Sequence, residues 1–325
     1  MRMMFDYDIW FYEAFEEEEQ ALKRYLPEEA RAGFTWKTIQ EAGHTQPPAP
    51  VICTRTQSIY PRQWATLLQA ILSRSTGYDH LLRYREETGF SAPMGHLPLY
   101  CNRAVAEQAL LLWLALMRRL PRQQAQFHRF ERDGLTGREM GGKTVAVFGV
   151  GNIGYQVADI ARSLGMTVRG VDIDPRHRDI DYVTPEQAAE NADIIVAAMN
   201  LTRENAGYFN RDFWERCKPG ALFVNISRGE LSPITILEEA LEKGRLAGLA
   251  LDVFNHEKQL AAFLRDGAEM EDEEVQALMR LAEKDTVILT PHNAFNTEES
   301  VARKSEQTVR QWQYFKEHGR FLWPV

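Results

Sequence analysis

Residues 143–174, KTVAVFGVGNIGYQVADIARSLGMTVRGVDID, restrict the folds open to this chain more than any other stretch. Thr144 to Phe148 is a short apolar run of β-favouring residues, the pattern of a strand covered on both faces. Gly149, Gly151 and Gly154 follow, and Tyr155 to Leu164 then carries Val157, Ile160, Ala161 and Leu164 on one helical stripe, closed by Gly165. Val168 to Val171 reads as a second strand, ended by Asp172. The first glycine makes a tight turn, the second lets backbone approach a pyrophosphate, and the third lets helix and strand pack closely. The helix N-terminus, with Asn152 and Ile153 in the turn before it, then faces the anion. Asp172, eighteen positions past Gly154, stands where an acid receives the hydroxyls of an adenosine ribose. A lone glycine pattern also describes an ordinary glycine-rich turn. Here strand, glycines, helix, strand and acid come in order, which predicts a dinucleotide site.

The β-α alternation continues beyond this unit. Pro185 to Asn191, Arg211 to Cys217 and Pro233 to Lys243 read as helices, and 192–198, 221–225, 247–253 and 287–289 as strands. Before it, strands are expected at 1–9, 51–53 and from Ala70, with helices over 11–26, 61–69 and 102–120, the last apolar on most faces and ended by Pro121. Residues 122–142 read as a polar connection, and 297–318 as a long amphipathic helix. The run Glu16 to Glu19 is expected to be a solvated helix face, because consecutive helical residues point in different directions. Alternation of this kind gives an α/β fold with doubly wound parallel sheets, whose ligands gather at the carboxyl ends of the strands.

Three residues stand just past such ends: Arg228 in NISRG, Glu257 in DVFNHE and His292 in TPHNAF. Singly, each has a plain structural reading as an ion-paired Arg, a solvated Glu and a turn His. Their common placement points to chemistry. The strand from Ala70 runs into Arg74-Ser75-Thr76-Gly77, a small-residue turn that serves either as a plain loop or as a nest of N–H groups for an anion.

These motifs together resemble the NAD-dependent D-isomer-specific 2-hydroxyacid dehydrogenases, over nearly the whole chain. RSTGYDH, LPLYCNRAVAEQ and the long segment after Glu257 are most similar to the D-lactate dehydrogenase branch. The resemblance implies a Rossmann-type nucleotide domain, residues 102–294, inserted into a flavodoxin-like substrate domain, residues 1–101 plus 295–325, with the cleft between them. It implies reversible, NADH-linked reduction of a small 2-oxo acid, pyruvate first, to the D-2-hydroxy acid. His292 is then the proton donor and acceptor, Glu257 its partner, and Arg228 the fork that holds the carboxylate and polarises the carbonyl. Ser75, Thr76 and Gly77 would hold the carboxylate's other side, and Tyr100 and Phe295 would line the pocket. Asn200, Ile226 and Asp252 join the glycines, Asn152, Ile153 and Asp172 around NAD, with Asp252 receiving the nicotinamide carboxamide. Two departures from the family pattern stand out: Lys258 after Glu257 where proline is common, and an acidic insert, Asp266 to Glu274, within the thirty-five positions from Glu257 to His292. Asn200, where proline is common, is a milder one.

A net charge of -8 and a pI near 5.6 argue against nucleic acid or an anionic membrane as the main partner. No apolar run spans a bilayer, the start carries acids where a signal peptide needs an apolar core, and three scattered cysteines suit neither a disulfide framework nor a metal site. A reduced, cytoplasmic protein without metal is expected, and by resemblance a homodimer. Two alternatives remain: a larger or dicarboxylic 2-oxo acid as substrate, or a non-catalytic NAD-sensing scaffold of the corepressor type. Arg55, after an early strand, would suit a distal carboxylate, although the simpler expectation is that it faces water.

Overall fold

A computed structural model describes residues 5–267 and 272–325, in two compact units: residues up to 101 with 296–325, and residues 102–295. The first four residues of the expected opening strand lie outside the described residues. In the first unit the chain runs β1 (Ile9–Phe11), α1 (Glu16–Tyr25), β2 (Ala32–Phe34), α2 (Ile39–Ala42), β3 (Val51–Thr54), β4 (Ala70–Ser73), α3 (Asp79–Thr88) and β5 (Met94–Gly95). The second unit continues with α4 (Asn102–Met117), α5 (Leu120–Phe127), β6 (Thr144–Phe148), α6 (Asn152–Ser163), β7 (Thr167–Val171), α7 (Pro185–Asn191) and β8 (Ile194–Ala197). Then come α8 (Arg211–Arg216), β9 (Ala221–Asn225), α9 (Ile234–Glu242), β10 (Leu246–Leu251), α10 (Glu257–Asp266), α11 (Glu273–Ala282) and β11 (Val287–Leu289), before α12 (Glu298–His318) returns to the first unit.

Both sheets are parallel throughout, in the orders β2-β1-β3-β4-β5 and β11-β10-β9-β8-β6-β7. Their central strands are apolar runs buried at every position, as β3, β4, β8 and β9 are, because helices cover both faces. In the larger unit Phe209 and Trp214 close on Phe223 at ring-centroid separations of 4.9 and 5.0 Å, giving one face of the sheet an aromatic core. In each sheet the chain leaves one strand, β1 or β6, for a neighbour on one side and then returns to the other side. That reversal opens a crevice at the carboxyl ends, where ligands bind in folds of this kind. Cys53, Cys101 and Cys217 are free and buried, and no helix among the described residues is long and apolar enough to cross a membrane.

The chain departs from the sequence expectations at several places. The helix expected over 102–120 stops at Met117, where Arg119 takes a left-handed φ of 52°. Pro121 sits in the first turn of α5, where its missing N–H is harmless, so residues read as a polar connection begin as a helix. The turn after Gly77 leads into α3. The acidic insert supplies the end of α10 and the start of α11, on either side of residues 268–271, which lie outside the described residues.

Glu18 corrects the expectation of a solvated acidic face. It lies on the side of α1 shared with Ala21 and Leu22, is 4% exposed, and forms an ion pair with Lys304 of α12. Arg74 lies 3.6 Å from its other oxygen. Lys304 and Arg74 are each 1% exposed, so the three charges are buried together. Burial disfavours the Glu18 carboxylate, but Lys304, Arg74 and Arg55 outweigh it and hold the carboxyl below its ordinary value. Its contribution to stability is therefore complete above the ordinary carboxylate range and is lost as pH falls below that range through about 2. Removing one member of a buried charge cluster leaves the others uncompensated, so Glu18→Gln should cost about 3–5 kcal/mol, read as a lowered urea midpoint of the full chain. Glu18→Leu combined with Lys304→Met should recover much of that loss.

Candidate active site

The glycine-rich turn joins β6 to α6 at the strand reversal. Gly149 has φ of +89°, and a side chain there would meet the Met199 backbone at 2.5 Å. A Cβ on Gly154 would lie 1.8 Å from the Gly149 carbonyl oxygen, so helix and turn touch backbone to backbone. At Gly151, the residue before α6, a Cβ would meet nothing within 4 Å. The backbone here is open at a helix N-terminus, which fits a pyrophosphate. Asp172, at the end of β7, accepts from Val150 N–H at 2.6 Å and Asp174 N–H at 2.9 Å. It is thereby tied to the glycine turn. Asn152 and Asn200 are exposed, Ile153 is half-buried and Ile226 is buried.

Arg228 follows β9 on a loop organised by Asn225, whose side chain is fully buried. The Asn225 amide donates to the Arg228 carbonyl and to Ser232 Oγ, both at 2.9 Å, while its oxygen accepts from the Ser227 N–H and hydroxyl at 3.0 Å. Arg228 Nη1 donates to the Ser227 carbonyl at 2.8 Å. The next residue, Gly229, lies against the peptide joining Phe254 to Asn255. A Cβ there would sit 2.0 Å from the Phe254 carbonyl carbon and 2.2 Å from the Asn255 nitrogen. The loop bearing Arg228 and the loop leading to Glu257 are thus pressed together.

Glu257 is the first residue of α10. One carboxylate oxygen accepts from Phe254 N–H at 3.1 Å and the other lies 2.9 Å from His292 Nδ1. Burial opposes the charge on Glu257, but His292, the Phe254 N–H and Arg228 outweigh it and hold the carboxyl below its ordinary value. An ionised carboxylate only accepts, so Nδ1 carries the proton of this bond and Nε2 is the ring atom left for proton exchange. The long insert therefore leaves Glu257 beside His292.

His292 itself has φ of +51°, and its N–H closes a tight turn on the Thr290 carbonyl at 2.9 Å. That strained turn is held by Asp252, fully buried after β10, which accepts from the Thr290 hydroxyl, Asn293 N–H at 2.9 Å and Ala294 N–H at 2.8 Å. Burial raises the Asp252 carboxyl above its ordinary value in spite of these donors. Asp252, expected at the carboxamide, also braces the loop that carries His292. The sequence reading missed this role and that of Asn225, although both sit at the strand-end positions that single out the other three.

In the smaller unit the backbone N–H groups of Ser75, Thr76 and Gly77 meet no protein acceptor among the described residues. Ser75 Oγ donates to the Gly77 carbonyl at 2.8 Å and pairs with Ser73 Oγ at 2.5 Å, which braces the turn. Tyr100 is buried, and Phe295, in the larger unit, is half-buried. Among the described residues no group of acids, histidines and cysteines is arranged to hold a metal ion.

Comparison with known proteins agrees with this geometry. The pattern of the family described as D-isomer specific 2-hydroxyacid dehydrogenase, NAD binding domain, matches residues 110–294. The D-lactate dehydrogenase kk1H of Curvularia clavata is 33% identical over 255 residues, covering 76% of this chain and 71% of that protein. A D-lactate dehydrogenase of Streptococcus agalactiae is 32% identical over 252 residues, covering 75% of each. Among solved structures, the D-lactate dehydrogenase from Aquifex aeolicus complexed with NAD and lactic acid superposes with a TM-score of 0.83 at 25% identity, over 97% of this chain and 99% of that one. D-2-hydroxyisocaproate dehydrogenase gives 0.83 at 23%, over 98% and 99%, a likeness of fold.

The two glycines should respond oppositely to alanine. Gly229→Ala must push the Arg228 and Glu257 loops apart, costing about 1–3 kcal/mol as overpacking and lowering the urea midpoint. Gly151→Ala has open space and should leave that midpoint in place while weakening NADH binding in a fluorescence titration.

Proposed function

This chain belongs to the D-isomer specific 2-hydroxyacid dehydrogenases, which are NAD-dependent, and we propose that it reduces a small 2-oxo acid, pyruvate first, to the D-2-hydroxy acid, reversibly. The observation that carries the proposal is the His292–Glu257 pair at 2.9 Å, with the loop leading to Glu257 packed against that of Arg228. The names of the similar D-lactate dehydrogenases support pyruvate as the substrate.

In this proposal the turn at Gly149, Gly151 and Gly154 and the first turn of α6, Asn152 and Ile153, hold the pyrophosphate. Asp172 takes the ribose diol, and Asn200 and Ile226 border the nicotinamide. Bound NADH supplies the hydride. Negative charge then grows on the substrate's C2 oxygen, and His292 Nε2 donates a proton to it, taking one back in the reverse direction. Arg228 presents a planar fork to the carboxylate and the carbonyl, the N–H groups of Ser75, Thr76 and Gly77 suit a carboxylate, and Tyr100 and Phe295 line the pocket. Asp252 keeps the strained His292 turn in place. Asp172 also repels a 2′-phosphate, which favours NADH over NADPH. Of the nearby bases, Arg176 pairs with Asp174 at 2.6 Å and His177 stacks on Tyr155 at 4.1 Å. A reduced, cytoplasmic homodimer, with residues 1–101 and 295–325 as the substrate domain, completes the proposal. Exposed Leu111, Leu120, Phe127 and Phe130 on and after α4 and α5 supply apolar area for a subunit contact.

The test is spectrophotometric: NADH consumption with pyruvate, 2-oxoisocaproate and phenylpyruvate, repeated with NADPH. Turnover of pyruvate to the D-isomer is expected, with kcat/KM for NADPH well below that for NADH. Absence of turnover with every oxo acid would reject the proposal.

Reduction requires His292 to carry its proton, and oxidation requires it to be neutral. Glu257 holds the ring through Nδ1, and its own carboxyl stays below its ordinary value in spite of burial, so Glu257→Gln should lower kcat in both directions and leave NADH binding in place. Steady-state rates in both directions and a fluorescence titration with NADH check this, and an unchanged kcat would break the pairing.

A further inference from the structure

The turn after β4 is held by bonds that the reaction described above does not use, all of them within the smaller unit. Three successive carbonyls are occupied there. That of Ser75 accepts from Leu97 N–H at 3.0 Å, that of Thr76 from His96 Nδ1 at 3.0 Å, and that of Gly77 from Ser75 Oγ at 2.8 Å. A trans peptide is planar with its N–H opposite its C=O, so fixing these carbonyls turns the N–H groups of Thr76, Gly77 and Tyr78 away from the atoms that hold the turn. None of the three donates to a backbone acceptor among the described residues.

The bond to Gly77 ends a longer chain. Ser75 Oγ lies 2.5 Å from Ser73 Oγ, which lies 3.1 Å from His80 Nε2. Each hydroxyl has one proton to give, and a carbonyl only accepts. Ser75 gives its proton to Gly77, so Ser73 gives its own to Ser75 and His80 supplies the one shared with Ser73. The one direction that satisfies every member runs from His80 through Ser73 and Ser75 to Gly77, and it requires hydrogen on His80 Nε2. Ser73 is fully buried and Ser75 is 8% exposed, so water does not readily replace a lost member. The His80 ring is stacked on Tyr60, 6.3 Å between centroids and 11° between planes, and the Tyr60 hydroxyl pairs with Thr54 Oγ1 at 2.6 Å. His96 holds the same turn separately, with hydrogen on Nδ1 because the Thr76 carbonyl only accepts. Its own N–H donates to the Trp323 carbonyl at 3.1 Å and its carbonyl accepts from Gln311 Nε2 at 2.8 Å. Gln311, fully buried on α12, also accepts from Leu322 N–H at 2.7 Å, so the end of the chain fixes where His96 stands.

We propose that His80 and His96 are positioning residues for the reaction, acting through the Ser75 to Gly77 turn to aim its N–H groups at the substrate's carboxylate. Their role rests on the proposed reduction of a 2-oxo acid and names what holds the carboxylate-binding groups of the smaller unit in place. Each ring acts through a nitrogen that bears hydrogen in the neutral form as well as the charged one, so one N–H at one position is what the turn requires. Glutamine offers an amide N–H near the position of Nε2 and asparagine near that of Nδ1, whereas leucine fills the space without a donor.

The experiment measures kcat and KM for pyruvate, inhibition by oxamate, a carboxylate-bearing mimic of pyruvate, and NADH binding by fluorescence titration. It uses the full chain as wild type, Ser73→Ala, His80→Leu, His80→Gln, His96→Leu and His96→Asn. Ser73→Ala and the two Leu variants should raise the pyruvate KM and the oxamate inhibition constant together by about three- to tenfold, the worth of one neutral hydrogen bond, with a smaller change in kcat and NADH binding in place. His80→Gln and His96→Asn should recover most of the loss, which a merely space-filling role would not allow. Ser73→Ala combined with His80→Leu should be little worse than either alone, because both break the same chain. Should a Leu variant fail to fold, Ser73→Ala, which removes a single hydroxyl, carries the comparison. Variants that keep the wild-type KM and oxamate inhibition, that lose NADH binding in step, or whose Gln and Asn counterparts fare no better than Leu overturn the inference and leave the proposed reaction standing. Wild type inactive on every 2-oxo acid overturns both.

Discussion

Everything in the candidate active site depends on how closely two backbones approach at Gly229. With the Phe254–Asn255 peptide where a side chain would otherwise be, the loop after β9 and the loop after β10 become one packed body. Arg228 and Glu257 then inherit a fixed spacing, near enough for the guanidinium charge to act on the carboxylate. Parallel strands deliver all these residues to the same edge, but only the absence of a Cβ lets their loops touch. Buried polar side chains complete the arrangement. Asn225 satisfies four groups of the first loop and Asp252 three groups of the loop carrying His292. A buried polar network with its partners satisfied defines one geometry, because any alternative leaves donors or acceptors unpaired out of reach of water.

That division of labour explains what the sequence made legible. Period and punctuation sufficed for the parallel sheets, since strands covered on both faces read as uninterrupted apolar runs and glycines mark their turns. Residues after the strands could be picked out as a set, and Arg228, Glu257 and His292 are found on neighbouring loops. Their supports were harder to read. Asp252 and Asn225 sit in the same motifs, but their letters do not say how many donors and acceptors of the surrounding loops each one satisfies. Pro121 illustrates a different ambiguity, since a proline closes one helix or opens the next according to whether the preceding residue leaves the helical region, as Arg119 does.

Glu18 was invisible for a further reason. Within Glu16 to Glu19 all four residues look alike, and which one faces inward depends on how α1 is rotated against its neighbours. The countercharge that settles the matter, Lys304, comes from the far end of the chain. A charge pair between elements so distant in sequence leaves no local pattern. It is set by the return of α12 to the first unit, against α1.

The acidic insert shows the converse case, a local charge run whose described acids are accounted for by helix ends. Asp272 caps α11, accepting from the Glu274 N–H at 2.9 Å, and its other oxygen lies 2.9 Å from His256 Nδ1, the residue just before Glu257. Glu274 accepts from the Ile234 and Thr235 N–H groups at 2.7 and 3.2 Å and from the Thr235 hydroxyl at 2.8 Å, which satisfies the first turn of α9. Anionic oxygens at helix N-termini are favoured both by the unpaired N–H groups and by the helix dipole. The two contacts bracket the site from outside. One holds the residue that begins the turn into α10 and Glu257, and the other holds the helix that follows the Arg228 loop. A segment that lengthens the chain between Glu257 and His292 therefore leaves their 2.9 Å pairing intact, its described acids being tied to His256 and to the first turn of α9.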